Sequence, residues 1–225
     1  QHARPEESFE EWPDLFRFVR EEAKRLKPGF RIELCPCGVA PTFHLLAGME
    51  QPTTSDPSDN QVTHRMKFLK AVTHPRAPIL EEYCGFGPGT RIGIELAPRA
   101  IGSGAVYGTM HPAMGVAQTR WVSIYNRHRP AEGEYLNLYT IGWEPTEGHA
   151  IRKGEKMYYG FFSNKPDDDY HGPVQLRGLE KRRYRVTNYV NGRVLGEVTG
   201  PEADLSTFFR DSLLLVAEPL EKDAR

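Results

Sequence analysis

Residues 31–59 read RIELCPCGVAPTFHLLAGMEQPTTSDPSD, and the other predicted elements are arranged around this stretch. It opens with a short apolar strand pattern, continues through a turn rich in cysteine and glycine, and ends with Asp56 and Asp59. Each half places small or acidic residues just past an apparent strand, where α/β sheets and barrels build their sites. We therefore expect residues 31–59 to form one wall of a ligand pocket.

The segments around this stretch alternate between helix and strand patterns. Residues 8–11 have the Ser-x-x-Glu spacing of a capping box, and apolar residues, with Trp12 assigned to the core, follow at helical spacing up to Pro28 and Gly29. A second helix is predicted over residues 61–72. Its inner face would carry Val62, Met66, Leu69 and Val72, and its outer face Lys67 and Lys70. A helix, a tight turn and a short strand form one step of a repeating β/α architecture.

The last part of the chain has a different pattern. Residues 78–86 and 105–110 are predicted to contain the next strands, and a helix carrying Trp121 follows them. From about Tyr135 onward, short alternating or apolar runs are separated by turn residues. The pair Asn191-Gly192 predicts a two-residue hairpin turn. No helical period continues here, so this half is predicted to be a small antiparallel β-sandwich.

Composition and charge exclude several classes of function. The 225 residues include 29 basic and 30 acidic side chains, so the net charge is −1. That balance offers no basic surface for nucleic acid and no polybasic membrane patch, and no apolar run is long enough for a transmembrane helix. The three cysteines have neither the spacing of a disulfide framework nor that of a zinc site. We expect no metal and no cofactor.

Several motifs in order resemble a known family. They are CPCG at 35–38, QPTTSDP at 51–57, AVYGT at 105–109, and the longer segments 133–154 and 184–201. Together they resemble the C-terminal part of α-galactosidase-type glycoside hydrolases, the melibiase group. The resemblance implies an α/β region followed by an all-β region: the C-terminal portion of a (β/α)8 TIM barrel, about strands 5 or 6 to 8, and then a small antiparallel β-sandwich. The implied domains are residues 1–132 and 133–225.

The resemblance also implies a chemistry. Residues 55–59 match the family's Ser-Asp-x-x-Asp motif, which makes Asp56 the general acid/base of a retaining α-glycosidase acting on terminal α-linked sugars. Cys35, Cys37 and Gly38 match the place where the family contacts the sugar. Asp59 is the second candidate for the acid/base. Asp59 and Ser55 are also candidate substrate-binding residues, as is Gln51, which precedes the motif. The family's nucleophile lies in a Lys-x-Asp motif after a barrel strand, and residues 1–132 contain no such motif. The chain is therefore expected to need a missing N-terminal part and to be inactive alone.

The same residues have simpler interpretations. Ser55-Asp56-Pro57 and Asp59 could be a turn and cap opening the helix at Gln61. Gly38 could simply permit a turn, and the two cysteines could be small buried side chains. A second function is a non-catalytic carbohydrate-binding or structural module, in which the aromatic run YYGFF at 158–162 would stack on sugars. That run is more simply a strand buried on both faces.

Overall fold

The computed structural model describes residues 4, 6, 10–34, 50–54, 59–81, 92–107, 115–142, 146–163 and 169–220. The first part of this chain is dominated by helices and the last part by strands. The helices are α1 (Trp12–Leu26), α2 (Asp59–Val72), α3 (Ile92–Ser103) and α4 (Gly115–His128). Two short strands, β1 (Glu33–Leu34) and β2 (Gln51–Pro52), lie between α1 and α2. None of the described helices is both long and apolar enough to cross a membrane.

Four short strand positions lie side by side in parallel and follow one another in chain order: β1, β2, the bridge at Leu80 and the bridge at Val106. Strand β1 pairs in parallel with β2, and Leu80 forms parallel bridges to Thr53 and to Val106. The amide of Leu80 donates to Pro52 O at 2.9 Å, and the amide of Val106 donates to Ile79 O at 2.7 Å. Helix α2 connects the second position to the third, and α3 connects the third to the fourth. Parallel neighbours joined by helices are the topology of a β/α barrel, of which four positions make half.

The remaining strands are antiparallel. Their bounds are β3 (Glu134–Leu136), β4 (Thr146–Lys153), β5 (Lys156–Ser163), β6 (Asp169–Leu176), β7 (Arg183–Asn188), β8 (Arg193–Thr199), β9 (Ala203–Arg210) and β10 (Ser212–Pro219). Six of them form one sheet in the order β3-β4-β5-β10-β7-β8, and β6 pairs with β9. A shared core joins Tyr159 and Leu215 of the larger sheet to Val174 and Phe209 of the smaller one. Two sheets enclosing one apolar core form a sandwich.

Helix α3 holds the sandwich against the parallel strands. Ile101 of α3, Phe162 of β5 and Leu214 of β10 belong to one buried cluster. The local sequence patterns predict no helix in this region. Pro98 lies inside α3, and glycines lie near both of its ends, so the local signals resembled a loop. Burial of its apolar face against β5 outweighs those local preferences.

The helix predicted over residues 61–72 is confirmed as α2, but its predicted outer face is wrong. Lys67 and Lys70 are only 1% and 2% exposed. The helix is covered on more than one side, and each ammonium group donates to backbone carbonyls, Lys67 to Thr140 O at 2.6 Å and Lys70 to Ala77 O at 2.6 Å. Burial lowers the pKa of Lys70 to about 8.

The turn at Asn191-Gly192 is longer than predicted. Strand β7 ends at Asn188 and β8 begins at Arg193, and these two residues pair, so four residues form the turn. The backbone amide of Tyr189 donates to Leu214 O at 3.1 Å. The Tyr189 side chain is buried in the cluster shared with the helices. Tyr189 therefore bonds to β10 rather than pairing with β8, and the turn is four residues long.

Helix α1 differs from the other helices in its burial. None of its residues is buried, and the exposed apolar side chains include Trp12, Leu15 and Leu26. The prediction that Trp12 belongs to a core is therefore wrong within the described structure, where it is 45% exposed. Glu11 is the N-cap residue and makes no side-chain cap hydrogen bond, while Ser8 of the predicted capping box lies outside the described residues. The helix ends before Pro28-Gly29, as predicted.

Candidate functional site

The candidate site lies at the carboxyl ends of the parallel strands. Thr54 follows β2, Glu81 follows the bridge at Leu80, and Tyr107 follows the bridge at Val106. The amide of Thr54 donates to Leu80 O at 3.0 Å and the amide of Glu81 donates to Val106 O at 3.0 Å, so these residues share one edge of the sheet. In β/α barrels the catalytic residues lie at this edge. We call Thr54, Glu81 and Tyr107 the strand-end rim.

All three side chains of the strand-end rim are buried, with Thr54 and Glu81 each 1% exposed and Tyr107 6% exposed. The rings of Tyr107 and Tyr125 meet edge to face with centroids 6.3 Å apart. Burial raises the pKa of the Tyr125 hydroxyl, although a hydrogen bond with the Tyr107 backbone opposes this. The rim therefore combines a buried carboxyl group, that of Glu81, with the buried ring of Tyr107.

Helix α2 is joined directly to the rim. Arg65 donates from Nη1 to Thr54 O at 2.7 Å and from Nη2 to Gln61 Oε1 at 3.2 Å. Thr54 comes immediately before Ser55 and Asp56 in the sequence, and α2 begins at Asp59. The described structure thus defines both ends of the segment that carries the predicted acid/base.

The structure describes only two of the predicted site residues. Asp59 is the first residue of α2. Gln51 is the first residue of β2 and pairs with Glu33, at the opposite end of the strand from Thr54. The remaining candidates lie outside the described residues, namely Cys35, Cys37, Gly38, Ser55 and Asp56. Their roles stay predictions.

Sequence reasoning missed Glu81 and Tyr107. Glu81 directly follows the apolar pair Ile79-Leu80, and Tyr107 follows Ala105-Val106. A polar or aromatic residue at the first position after a short apolar run is the signal that could have identified both. Only the parallel pairing shows that the two runs end at the same edge.

A cavity of about 470 Å³ opens at the other end of the strands. Lys24, Phe30, Arg31, Glu50 and Pro78 are among its lining residues. Glu50 accepts hydrogen bonds from Arg20 and Lys24, and the bond from Lys24 is the main reason that the pKa of Glu50 is lowered. Since these residues precede the parallel strands rather than follow them, this cavity is separate from the candidate site.

In the part of the chain that the structure describes, no three His, Cys, Asp or Glu side chains lie close enough to hold a metal ion.

Comparison with known proteins places this geometry in context. No family model matches the chain. The chain is 28% identical over 239 residues to a protein from Flavonifractor plautii named A type blood alpha-D-galactosamine galactosaminidase. That match covers 99% of this chain but 21% of the relative, so the chain spans about a fifth of the relative's length.

Two solved structures share the fold. A GH27 β-L-arabinopyranosidase from Geobacillus stearothermophilus has a TM-score of 0.68 at 12% identity, covering 93% of this chain and 55% of its own. The galactosidase domain of the α-galactosidase-sucrose kinase AgaSK has a TM-score of 0.63 at 15% identity, covering 89% of this chain and 30% of its own. The predicted fold class, the C-terminal portion of a TIM barrel followed by an antiparallel β-sandwich, is confirmed. So is the resemblance to α-galactosidase-type glycoside hydrolases.

Proposed function

We propose that this chain, which is related in sequence and fold to α-galactosidase-type glycoside hydrolases, supplies the acid/base side of a retaining α-glycosidase. The observation that carries the proposal is the strand-end rim, because Thr54 lies on it and Asp56 follows two residues later. The segment that matches the family's acid/base motif therefore leaves the sheet at the edge where barrel enzymes hold their catalytic groups.

The proposed chemistry needs two carboxyl groups about 5 Å apart. One attacks the anomeric carbon and forms a glycosyl-enzyme intermediate. In our proposal Asp56 is the other: it protonates the departing glycosidic oxygen and then removes a proton from the water that hydrolyses the intermediate. The nucleophile would come from residues outside this chain.

The proposed substrate is a glycoside with a terminal α-linked galactose-type sugar. The name of the relative from Flavonifractor plautii supports galactosamine, and the galactosidase domain of AgaSK supports galactose. Cys35, Cys37 and Gly38 would border the sugar, with Ser55 and Asp59 beside Asp56. Gln51 is the weakest of these assignments, because it begins β2 rather than ending it.

We also propose that residues 1–132 form part of a barrel and that residues 133–225 form the accompanying sandwich domain. Helix α1 supports the partial barrel because Trp12, at 45% exposure, and Leu15, at 55%, are not packed into a core of the described residues. Further β/α units of the same enzyme would cover this apolar face and complete the barrel.

The alternative function, a carbohydrate-binding module, receives less support. In this alternative the aromatic rings of the run YYGFF would stack on sugars, but Tyr158 is 6% exposed and Tyr159 only 1%. Phe161 and Phe162 are also buried, so these rings belong to the core and cannot meet a sugar. The strand at 158–162 is buried on both faces, and a supporting role for the sandwich is the simpler proposal.

The test compares the complete protein with its Asp56→Asn variant on α-galactosides and α-galactosaminides. We expect the variant to lose about 100-fold or more in kcat/KM on substrates with poor leaving groups, and less on activated aryl glycosides, which need no proton. Asp204→Asn, at an exposed position of β9, is the matched control and should retain the full activity. Full activity of Asp56→Asn, or hydrolysis by residues 1–225 alone, would contradict the proposal.

A further inference from the structure

A buried polar network joins α2 to the sandwich. Glu147 and His149 of β4 are both 0% exposed, and Lys67 of α2 is 1% exposed. Charged side chains are very seldom buried so completely unless partners surround them. We call Thr63, Lys67, Tyr135, Glu147 and His149 the interdomain network.

The hydrogen bonds of the interdomain network meet at the carboxylate of Glu147. Nε2 of His149 lies 3.0 Å from Oε1 of Glu147 and donates to it, because a carboxylate can only accept. The hydroxyl of Tyr135 lies 2.8 Å from Nδ1 of the same ring. Thr63 donates to Oε2 of the same carboxylate at 3.0 Å. With a neutral imidazole, the single ring proton is on Nε2 and Tyr135 donates its hydroxyl to Nδ1.

The charges agree with that assignment. Burial lowers the pKa of His149, which keeps the ring neutral. Burial alone would raise the pKa of Glu147, but the hydrogen bond from His149 and the nearby charge of Lys67 lower it below the usual value. Lys67 Nζ lies 3.9 Å from Oε1 of Glu147. The network therefore holds one carboxylate and one ammonium group in a site from which water is excluded.

The helix side of the network leads to the candidate site. Thr63 and Lys67 bind the sandwich, while Arg65, between them in the sequence, donates to Thr54 O on the strand-end rim. One rigid helix thus contacts Glu147 and the residue two positions before Asp56. The start of α2, at Asp59, is three residues after Asp56.

We propose that Glu147 is a positioning residue for the acid/base: through Thr63 and Lys67 it fixes α2, and through α2 it fixes both ends of the segment that carries Asp56. The inference rests on the proposed function. A buried ion pair adds little net stability compared with an apolar contact of the same size. Its hydrogen bonds are satisfied in one arrangement only, so its contribution here is to hold the helix in one orientation relative to the sandwich.

The experiment uses Glu147→Gln in the complete protein, with a series of α-galactosides whose leaving groups range from alkyl alcohols to activated phenols. The substitution keeps the size of the side chain and removes its charge. We expect kcat/KM to fall about tenfold or more for the poorest leaving group and about twofold or less for the best, because only the former needs the proton from Asp56. Glu197→Gln, an exposed carboxylate on β8 paired with Arg183, is the matched control and should leave the series unchanged.

A second readout follows α2 directly. Amide hydrogen exchange over residues 59–67 should accelerate in Glu147→Gln and remain unaltered in Glu197→Gln. If Glu147→Gln does not fold, Thr63→Val removes a single hydrogen bond to the carboxylate and is measured in the same two ways. Equal losses for all leaving groups, or no loss, would overturn the positioning role while leaving the proposed function intact. If the complete wild-type protein did not hydrolyse these substrates, the proposed function would be overturned, and this inference with it.

Discussion

Gly160 in the middle of β5 lies so close to Gly102 in the last turn of α3 that a Cβ on Gly160 would be 2.5 Å from the carbonyl oxygen of Gly102. In the same way, a Cβ on Gly102 would be 2.3 Å from Leu214 Cδ2 of β10. The absence of both side chains lets the helix rest directly on the sheet. This contact joins the parallel strands to the sandwich at a distance that no other residue type allows.

We predict that Gly160→Ala destabilises the chain by about 1–3 kcal/mol, because the new methyl group meets backbone rather than a flexible side chain. Urea unfolding would measure the change. Gly29→Ala is the control, since no atom lies within 4 Å of the position of its Cβ. Its stability should stay within about 0.5 kcal/mol of the parent or rise slightly. Equal stability of the two variants would show that α3 can move away from β5 without cost.

His149 predicts how stability depends on pH. Burial lowers the pKa of its imidazole below the ordinary value of 6.5. Below pH 6.5 this histidine binds a proton in the unfolded chain but stays neutral in the folded chain. The free energy of unfolding therefore has its full value above this pH and falls as the pH decreases. Glu147, whose pKa is lowered from 4.5, adds a second loss in more acidic solution.

Unfolding midpoints in urea between about pH 7.5 and 5.5 test this prediction. The decline should be smaller in His149→Gln, which cannot take up a proton. His171→Gln, at an exposed position of β6, should decline as the parent does. A parent protein of constant stability across this range would contradict a neutral buried imidazole.

Tyr189 lies in the four-residue turn, and its ring contacts residues from both halves of the chain. Its ring is 4% exposed and lies 4.7 Å from the ring of His128 and 5.7 Å from that of Tyr158, centroid to centroid. Tyr189→Ala should cost about 3–5 kcal/mol by leaving a cavity. Within the described residues the Tyr189 hydroxyl has no hydrogen-bond partner, so Tyr189→Phe should be neutral or stabilising. Thermal unfolding of both variants would distinguish loss of the ring from loss of the hydroxyl, and a large loss in Tyr189→Phe would reveal a partner for it.

Local patterns predicted much of the secondary structure. The period of apolar residues identified α2, and short alternating runs identified most strands of the sandwich, because each pattern is contained in a few neighbouring residues. Helix α3 was missed, since Pro98 and the nearby glycines weaken every local helix signal. Its stability comes from contacts with β5 and β10, which are distant in the sequence.

For the candidate site too, some features can be predicted from the sequence and others depend on the folded structure. The order of the motifs, including Ser55-Asp56 directly after Thr53-Thr54, can be seen in the sequence alone because motif spacing is a property of the chain. The shared sheet edge of Thr54, Glu81 and Tyr107 is visible only in the folded chain, as is the burial beside Glu147 of Lys67, which was predicted to face outward. The physical reason is that strand pairing and the burial of a charge depend on partners dozens of residues away, and no local period records them.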